Sequence, residues 1–187
     1  MKLPILRYGD PVLRAKGKRI EAVDDRVREL AANMIETMHE ANGVGLAAHQ
    51  VGEALQLTVV DVANAEDQAS TMKLNGAEVE PKLLMPLILL NPEVALGDET
   101  ALGAEGCLSF PEITGDIWRS ISVTLRAQSL EGTPLEIEAS GLLARALQHE
   151  VDHLNGILFI DRMSAATKVA LATRLKRLRK ESLNRQS

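Results

Sequence analysis

The sequence predicts an α+β domain in which antiparallel sheets surround a buried central helix and a further helix ends the chain. Three observations support this class. Helical periodicity appears in residues 24–42, 141–155 and 165–183, strand-like segments lie between the first two helices, and two of these segments form a hairpin pattern. Because helices do not alternate with single strands, we expect antiparallel pairing rather than βαβ units.

The first helix is expected at residues 24–42. Asp24 or Asp25 can cap its start, and Gly43 suits its end. Apolar residues recur along it at helical spacing, namely Val27, Leu30, Met34, Met38 and Ala41. His39 lies beside this stripe, and because one isolated histidine has no ligand spacing, we interpret it as a surface or boundary residue.

Strands are expected at residues 57–62 and 88–95, where branched aliphatic side chains dominate. Residues 63–86 between them are polar and predict a surface excursion. Residues 121–127 alternate apolar and polar positions, EGTP follows, and LEIEA at 135–139 alternates again. This pattern predicts an antiparallel hairpin.

Residues 141–155 predict a helix that is apolar almost all round and therefore buried. It carries QHEVDHLNG at residues 148–156, so His149 and His153 stand four positions apart with Glu150 beside the first. Residues at this spacing share a helix face, where two imidazoles can bind one metal ion while a carboxylate leans over its open side. A structural helix can also carry two histidines, but these groups and Asp152 are costly to bury without an ion or a partner.

A catalytic metal usually has three protein ligands and one water, so the pattern requires another donor. No histidine or cysteine follows His153, which places the third ligand upstream. Cys107, in EGCLSFP at residues 105–111, is the natural candidate, because a nearby cation would favour its thiolate. A lone cysteine is also often a small buried hydrophobic residue. His49 is a competing ligand, although its neighbours give no reason to prefer it.

The stretch GVGLAAHQ at residues 43–50 is the third unusual segment. Its glycines allow another backbone to pass closely, and the Gln50 amide can donate a hydrogen bond. Local physics alone favours a helix end followed by a packed corner. The segment therefore acquires a functional interpretation only together with the two others.

Length and composition allow one domain with a real core. The chain has 187 residues, of which 45% are hydrophobic but only 2% aromatic, so aliphatic side chains and methionine must build the core. A single cysteine excludes an internal disulfide and suits a reducing compartment. The sequence has neither a leader pattern nor an apolar run long enough to span a bilayer, so we expect a cytoplasmic protein without a membrane or DNA partner.

The C-terminal segment is basic and has its own apolar edge. Val169, Ala172, Leu175 and Leu178 predict a helix at residues 165–183 with that edge on the domain. Residues 164–187 hold seven Lys and Arg against one Glu, a net charge of +6, whereas the rest of the chain carries −11. An ordinary solvated helix explains these charges, and an anionic partner explains them as well.

Taken together, GVGLAAHQ, EGCLS and QHEVDHLNG resemble the three signature motifs of the peptide deformylase family, in that order and at suitable spacing. The resemblance extends to YGDPVLR at residues 8–14, NPEV at 91–94 and LFIDR at 158–162. It covers most of residues 1–163 and implies a catalytic domain there. Residues 164–187 then form a basic C-terminal helix and tail.

The resemblance implies hydrolysis of the N-formyl group from the formylmethionine of nascent polypeptides, releasing formate. Cys107, His149 and His153 would bind a divalent metal, ferrous iron in the cell, with zinc, nickel or cobalt able to replace it. Metal-bound water would be the nucleophile, and Glu150 would act as general base and then general acid. Some bacterial deformylases dock on the ribosome near the tunnel exit through a C-terminal helix, which implies an anionic partner for the basic tail.

The family also implies roles around the metal. The side-chain amide of Gln50 and the backbone N–H of Leu108 would stabilise the oxyanion, and the backbone of Gly45 would bind the substrate peptide. The methionine side chain would occupy an apolar pocket near Val44, Glu105, Leu142 and His149. We further expect a salt bridge between Arg119 and Asp152 that orients the end of the central helix.

Two features depart from the family pattern: the length of the 63–86 segment, and Trp118 at a position where proline is common. Both concern the rim of the substrate groove. Two alternative functions remain at this point. One is a metallopeptidase that cleaves internal bonds, and the other is a deformylase-like binding module without turnover.

Overall fold

The computed structural model describes residues 1–65 and 69–184 and is built from three α-helices and nine strands within those residues. The helices are α1 (Asp25–Glu40), α2 (Gly141–Leu154) and α3 (Ala165–Asn184). The strands are β1 (Gly45–Ala47), β2 (Leu57–Val60), β3 (Met72–Leu74), β4 (Ala77–Val79), β5 (Leu87–Leu96), β6 (Thr100–Gly106), β7 (Thr114–Ser120), β8 (Ser122–Gln128) and β9 (Pro134–Ser140).

Two antiparallel sheets hold these strands. Seven strands pair in the order β1-β2-β5-β8-β9-β3-β4, and β6 pairs with β7 in a separate two-stranded sheet. Helix α2 contacts strands of both sheets and is buried along most of its length, which confirms the predicted α+β class with a central helix. The hairpin of β8 and β9 is also confirmed, with Ser122 opposite Ser140.

Helix α1 begins and ends inside the predicted range. The Asp24 carboxylate caps it by accepting a hydrogen bond from the Val27 amide at 2.9 Å. The helix ends at Glu40, and Asn42 adopts a φ of 53°, so the predicted 24–42 was slightly too long. His39 is a surface histidine as expected, with Nε2 2.8 Å from a carboxylate oxygen of Asp61.

The sequence prediction of a surface excursion at residues 63–86 was wrong for its middle part. Strand β3 pairs with β9, and β4 pairs with β3, so this segment extends the large sheet. Met72 is only 3% exposed and belongs to the core beneath α2. Strands of only three residues that contain Lys or Glu show too little alternation of apolar and polar side chains to be recognised from sequence. Residues 66–68 of this segment lie outside the described part.

Helix α3 exists as predicted, but with a different buried edge. Val169 is 77% exposed and Ala172 is exposed too, whereas Leu178 is 6% exposed. The face on the domain consists of Leu171, Leu175, Leu178 and Ser182, of which the three leucines pack on a cluster that includes Phe110 and Phe159. Two apolar stripes overlap in this sequence, and only the tertiary contact decides between them. Arg185 of the predicted tail lies outside the described residues.

No helix among residues 1–65 and 69–184 is both long and apolar enough to cross a bilayer.

Candidate metal centre

Helix α2 and the turn after β6 bring one cysteine and two histidine side chains close together. His149 and His153 face the same side of α2, with ring centroids 5.0 Å apart. Cys107 follows β6 at the start of a tight turn in which the Phe110 amide donates to the Cys107 carbonyl at 2.8 Å. The ligand atoms of Cys107, His149 and His153 all lie within 4.8 Å of one another.

This donor set fits a divalent transition metal. One thiolate and two imidazoles suit zinc or ferrous iron and leave a fourth position for water. Burial, together with the charge of His149, lowers the pKa of His153 well below its usual value, which keeps the imidazole in its metal-binding form. Burial also opposes a charge on His149, but hydrogen bonds with Cys107 and Glu105 raise its pKa well above the usual value. The hydrogen bonds of His149 therefore outweigh the effect of its burial.

The Glu105 carboxylate holds the His149 imidazole through its Nδ1 atom. One of its carboxylate oxygens lies 2.9 Å from His149 Nδ1, which leaves Nε2 free for a cation. The same carboxylate accepts hydrogen bonds from the Arg119 guanidinium at 2.8 and 3.1 Å. Burial alone would raise the pKa of Glu105, but these hydrogen bonds and charges outweigh it and lower the pKa to about 2. Glu105 is therefore a fixed carboxylate beside the metal centre.

The predicted salt bridge between Arg119 and Asp152 is confirmed, with a distance of 2.6 Å between Nη1 and Oδ2. The structure adds a second cation that sequence reasoning missed. Arg162 reaches the other oxygen of Asp152, also at 2.6 Å. Arg162 lies in LFIDR at residues 158–162, and the resemblance of this stretch to the family could have indicated that Arg162 supports the site. Asp152, two positions after Glu150, thus ties α2 to β7 and to the segment that precedes α3.

Glu150 is buried, at 3% exposure. Its carboxylate accepts a hydrogen bond from the Thr58 hydroxyl, 3.4 Å from Oε2. Burial raises the pKa of Glu150 to about 7, against the opposing charge of His149. The carboxyl group can therefore hold or release a proton near neutral pH, as a general base must.

Gly45 explains why a glycine-rich strand passes this carboxylate. A Cβ atom at Gly45 would collide with the carboxylate of Glu150. The glycine thus lets β1 approach α2 closely enough for Glu150 to face the metal centre. The sequence predicted that the glycines of this stretch allow a close approach of another backbone, and at Gly45 the group that approaches is the Glu150 side chain.

Gln50 is anchored so that its amide nitrogen faces the sulfur of Cys107. Its Oε1 accepts from the Ala47 amide at 2.9 Å, which fixes the orientation of the side chain. Its Nε2 lies 3.2 Å from the Ser109 hydroxyl and 3.5 Å from Cys107 Sγ. Leu108, whose backbone N–H is the other predicted oxyanion donor, follows Cys107 in the same turn. Both donors therefore lie beside the candidate metal position.

His49 is not part of this group. It is fully buried, and its ring lies against Gly17, where an added Cβ would be 2.9 Å from Cε1. Burial lowers its pKa, with an opposing contribution from the Ala15 backbone. His49, the competing candidate for the third ligand, thus faces the N-terminal segment instead of the centre.

A cavity of about 470 Å³ opens beside the donors. The predicted substrate residues Val44, Gly45, Glu105 and Leu142 all line it, together with Gln50, Cys107, Leu108, His149 and Glu150. Arg145 also lines it, and nothing in the sequence reasoning singled this residue out. A wider groove of about 730 Å³ on the large sheet is lined by other residues, among them Lys73 and Glu138, and is separate from this cavity.

Comparisons with known proteins agree along the whole chain. The polypeptide deformylase family model matches residues 2–169. A peptide deformylase from Opitutus terrae is 50% identical over 182 residues, which cover 96% of this chain and 94% of that protein.

Solved structures give the same result. A crystal structure of peptide deformylase from Thermotoga maritima is 39% identical, with a TM-score of 0.75, and the match covers 88% of this chain and 99% of that one. Peptide deformylase 1B from Arabidopsis thaliana, solved in complex with an inhibitor, is 36% identical, with a TM-score of 0.83 and coverage of 99% and 93%. The chain therefore belongs to the polypeptide deformylase family.

Proposed function

We propose that this enzyme hydrolyses the N-formyl group of formylmethionyl peptides, with a divalent metal held by Cys107, His149 and His153. The observation that carries the proposal is that Cys107, His149, Glu150 and Gln50 line one cavity. The ligand atom of His153 lies within 4.8 Å of those of Cys107 and His149. Ferrous iron is the metal we assign in the cell, as the resemblance to the peptide deformylase family implies. A mixed thiolate and imidazole set can also bind zinc, nickel or cobalt.

When bound, the cation supplies Lewis acidity, which lowers the pKa of a coordinated water and polarises the formyl carbonyl. Glu150 accepts the proton that the attacking water loses and later gives it to the departing amine. Glu105 keeps His149 in the tautomer that presents Nε2, since it holds Nδ1.

The negative charge that develops on the formyl oxygen needs donors placed in advance. We assign this role to the Gln50 side-chain amide and the Leu108 backbone N–H. The backbone of Gly45 binds the substrate peptide, and the cavity near Val44, Glu105 and Leu142 accepts the methionine side chain. The acidic lining residue Glu105 is fully paired, so it does not oppose an apolar side chain.

The direct test is formate release from formyl-Met-Ala-Ser by protein prepared anaerobically, followed with and without a metal chelator. Hydrolysis that stops on chelation and returns with ferrous iron supports the proposal. Cleavage of internal peptide bonds instead would favour the metallopeptidase alternative. Tight binding of the formyl peptide without formate release by the metal-loaded protein would favour a binding module. Elemental analysis of freshly purified protein identifies the metal.

Changing Cys107 to aspartate should alter which metals bind while leaving the fold intact. The substitution exchanges a soft thiolate for a hard carboxylate, and the residue sits in a turn rather than inside the core. Metal content after competition between zinc and manganese, and the visible spectrum of the cobalt-loaded protein, measure the effect. An unchanged spectrum would exclude Cys107 as a ligand.

We further propose that residues 1–163 form the catalytic domain and that the basic tail at 164–187 docks on the ribosome near the tunnel exit. The outer face of α3 is exposed and carries Lys168, Arg174, Lys176, Arg179 and Lys180. Ribosomal RNA would attract these charges, and the attraction should weaken with salt.

Neutralising this face should weaken ribosome co-sedimentation at low salt and leave hydrolysis of a short formyl peptide within a few-fold of the unmodified enzyme. A variant with Lys176→Gln, Arg179→Gln and Lys180→Gln keeps Leu171, Leu175 and Leu178 on the domain, so it tests charge and not packing. Neutralising Lys73 in β3 and Lys82 after β4, both outside α3, is the control. Equal co-sedimentation of all three proteins would exclude docking through α3.

A further inference from the structure

We infer that Arg145 is a positioning residue for the metal centre: it fixes the Glu105 carboxylate that in turn holds the imidazole of His149. The inference rests on the proposed metal site and extends it to a residue on the turn of α2 that precedes His149. Arg145 does not contact the donor atoms themselves. It acts through Glu105.

The guanidinium of Arg145 joins α2 to both strands of the small sheet. Its Nη1 lies 2.9 Å from Glu105 Oε1 and 3.0 Å from the carbonyl oxygen of Ile117 in β7. Its Nη2 lies 3.0 Å from the carbonyl oxygen of Ala101 in β6, and a longer contact of 3.4 Å joins Nη1 to Gly103. Arg145 therefore connects α2 to β6, the strand that carries Glu105 and leads directly to Cys107.

Gly103 provides the space for this arrangement. A Cβ atom at Gly103 would lie 2.8 Å from Arg145 Nη2, closer than side-chain contacts normally allow. The Arg145 guanidinium thus packs directly against the backbone of β6 at Gly103. The Arg145 side chain is only 16% exposed, so its hydrogen bonds to Glu105 and to the strand carbonyls are largely shielded from water.

Arg145 and Arg119 share Glu105 but hold it differently. Arg119 contacts both carboxylate oxygens and also pairs with Asp152. Arg145 contacts Oε1 alone, whereas His149 Nδ1 contacts Oε2. With Arg145 in place, Oε1 is fully occupied and Oε2 is directed at the imidazole. Without it, Arg119 still neutralises the carboxylate and His149 still contacts it, but the Arg145 hydrogen bonds between α2 and β6 are lost and Glu105 gains freedom to rotate.

Groups that orient a metal ligand typically change metal affinity by about 10- to 100-fold when they are removed. We expect the lower end for Arg145, about tenfold, because Arg119 remains. The variant Arg145→Met keeps the aliphatic stem and removes every donor. Arg145→Lys keeps one cation near Glu105 and should have an intermediate affinity. Gly103→Ala keeps the arginine at position 145 but should displace its guanidinium. This variant should therefore also bind the metal more weakly.

The measurement is the cobalt dissociation constant from competition with a chelator, together with the visible spectrum of the cobalt form and the thermal midpoint of the metal-free protein. Arg126→Met, at an exposed ion pair with Glu136, is the matched control and should leave all three unchanged. Weaker cobalt binding with an altered spectrum in Arg145→Met supports the inference. If that variant does not fold, Arg145→Lys and Gly103→Ala decide the question by the same readings.

A cobalt affinity within twofold of the unmodified protein in the folded variants would overturn the role of Arg145, whatever their thermal midpoints. A lower midpoint with unchanged affinity would show that Arg145 only stabilises the fold. Failure of the unmodified protein to bind cobalt would instead contradict the proposed metal site. The two failures are therefore distinguishable.

Discussion

Glu150→Ala is expected to retain the metal and to lose at least ~10²-fold in turnover, because general acid–base catalysis contributes about that much. Glu150 lies between the two histidines in sequence, and its carboxylate accepts a hydrogen bond from the Thr58 hydroxyl at 3.4 Å. It is not among the three donors whose atoms converge within 4.8 Å. Removing it should therefore affect proton transfer and not metal binding.

Glu150→Gln sharpens the test, since it keeps the size of the side chain and removes its ability to carry a proton. Both variants should show the same metal content as the unmodified enzyme by elemental analysis, and both should have low kcat for formyl-Met-Ala-Ser. Thr58→Val is the matched control for the local packing, and it should retain most of the turnover. Stoichiometric metal loss in the glutamine variant would place Glu150 among the ligands.

The central helix and the pair of histidines on one of its faces could be predicted because their signals are local. The spacing of His149 and His153 depends only on helix geometry, and burial of α2 follows from its apolar composition. The role of Cys107 required elimination of downstream donors together with a family resemblance. The contact itself, across 42 positions to His149, depends on β6 and β7, which have weak strand patterns and were not predicted.

Side chains that support the centre were harder to predict. The pairing of Arg119 with Asp152 was anticipated, but Arg162 and Arg145 were not, because a surface arginine and a bridging arginine look alike in sequence. Arg145 is recognisable only when β6 lies beside α2 and Gly103 faces the guanidinium. The buried edge of α3 was predicted correctly at Leu175 and Leu178 but not at Val169 and Ala172, since packing against Phe110 selects one of two overlapping apolar stripes.

Gln50→Ala is expected to lower kcat by about 10²- to 10³-fold, the usual effect of removing one oxyanion donor. The amide is 1% exposed, and the Ala47 N–H holds its oxygen at 2.9 Å, so its nitrogen is placed before the substrate arrives. Such a donor acts on charge that exists mainly in the transition state. The loss should therefore appear in kcat far more than in KM.

Ser109→Ala separates donation to the substrate from the anchoring of Gln50. Ser109 Oγ accepts from Gln50 Nε2 at 3.2 Å, so its removal frees that N–H while the bond to Ala47 still orients the amide. We expect a change of only a few-fold in kcat. Gln50→Glu keeps the shape and the acceptor for Ala47 but cannot donate when ionised, so it should lose as much activity as the alanine variant. Steady-state formate release and metal content of all three proteins provide the measurement, and a glutamate variant with near-normal kcat and full metal content would show that Gln50 does not act as a donor.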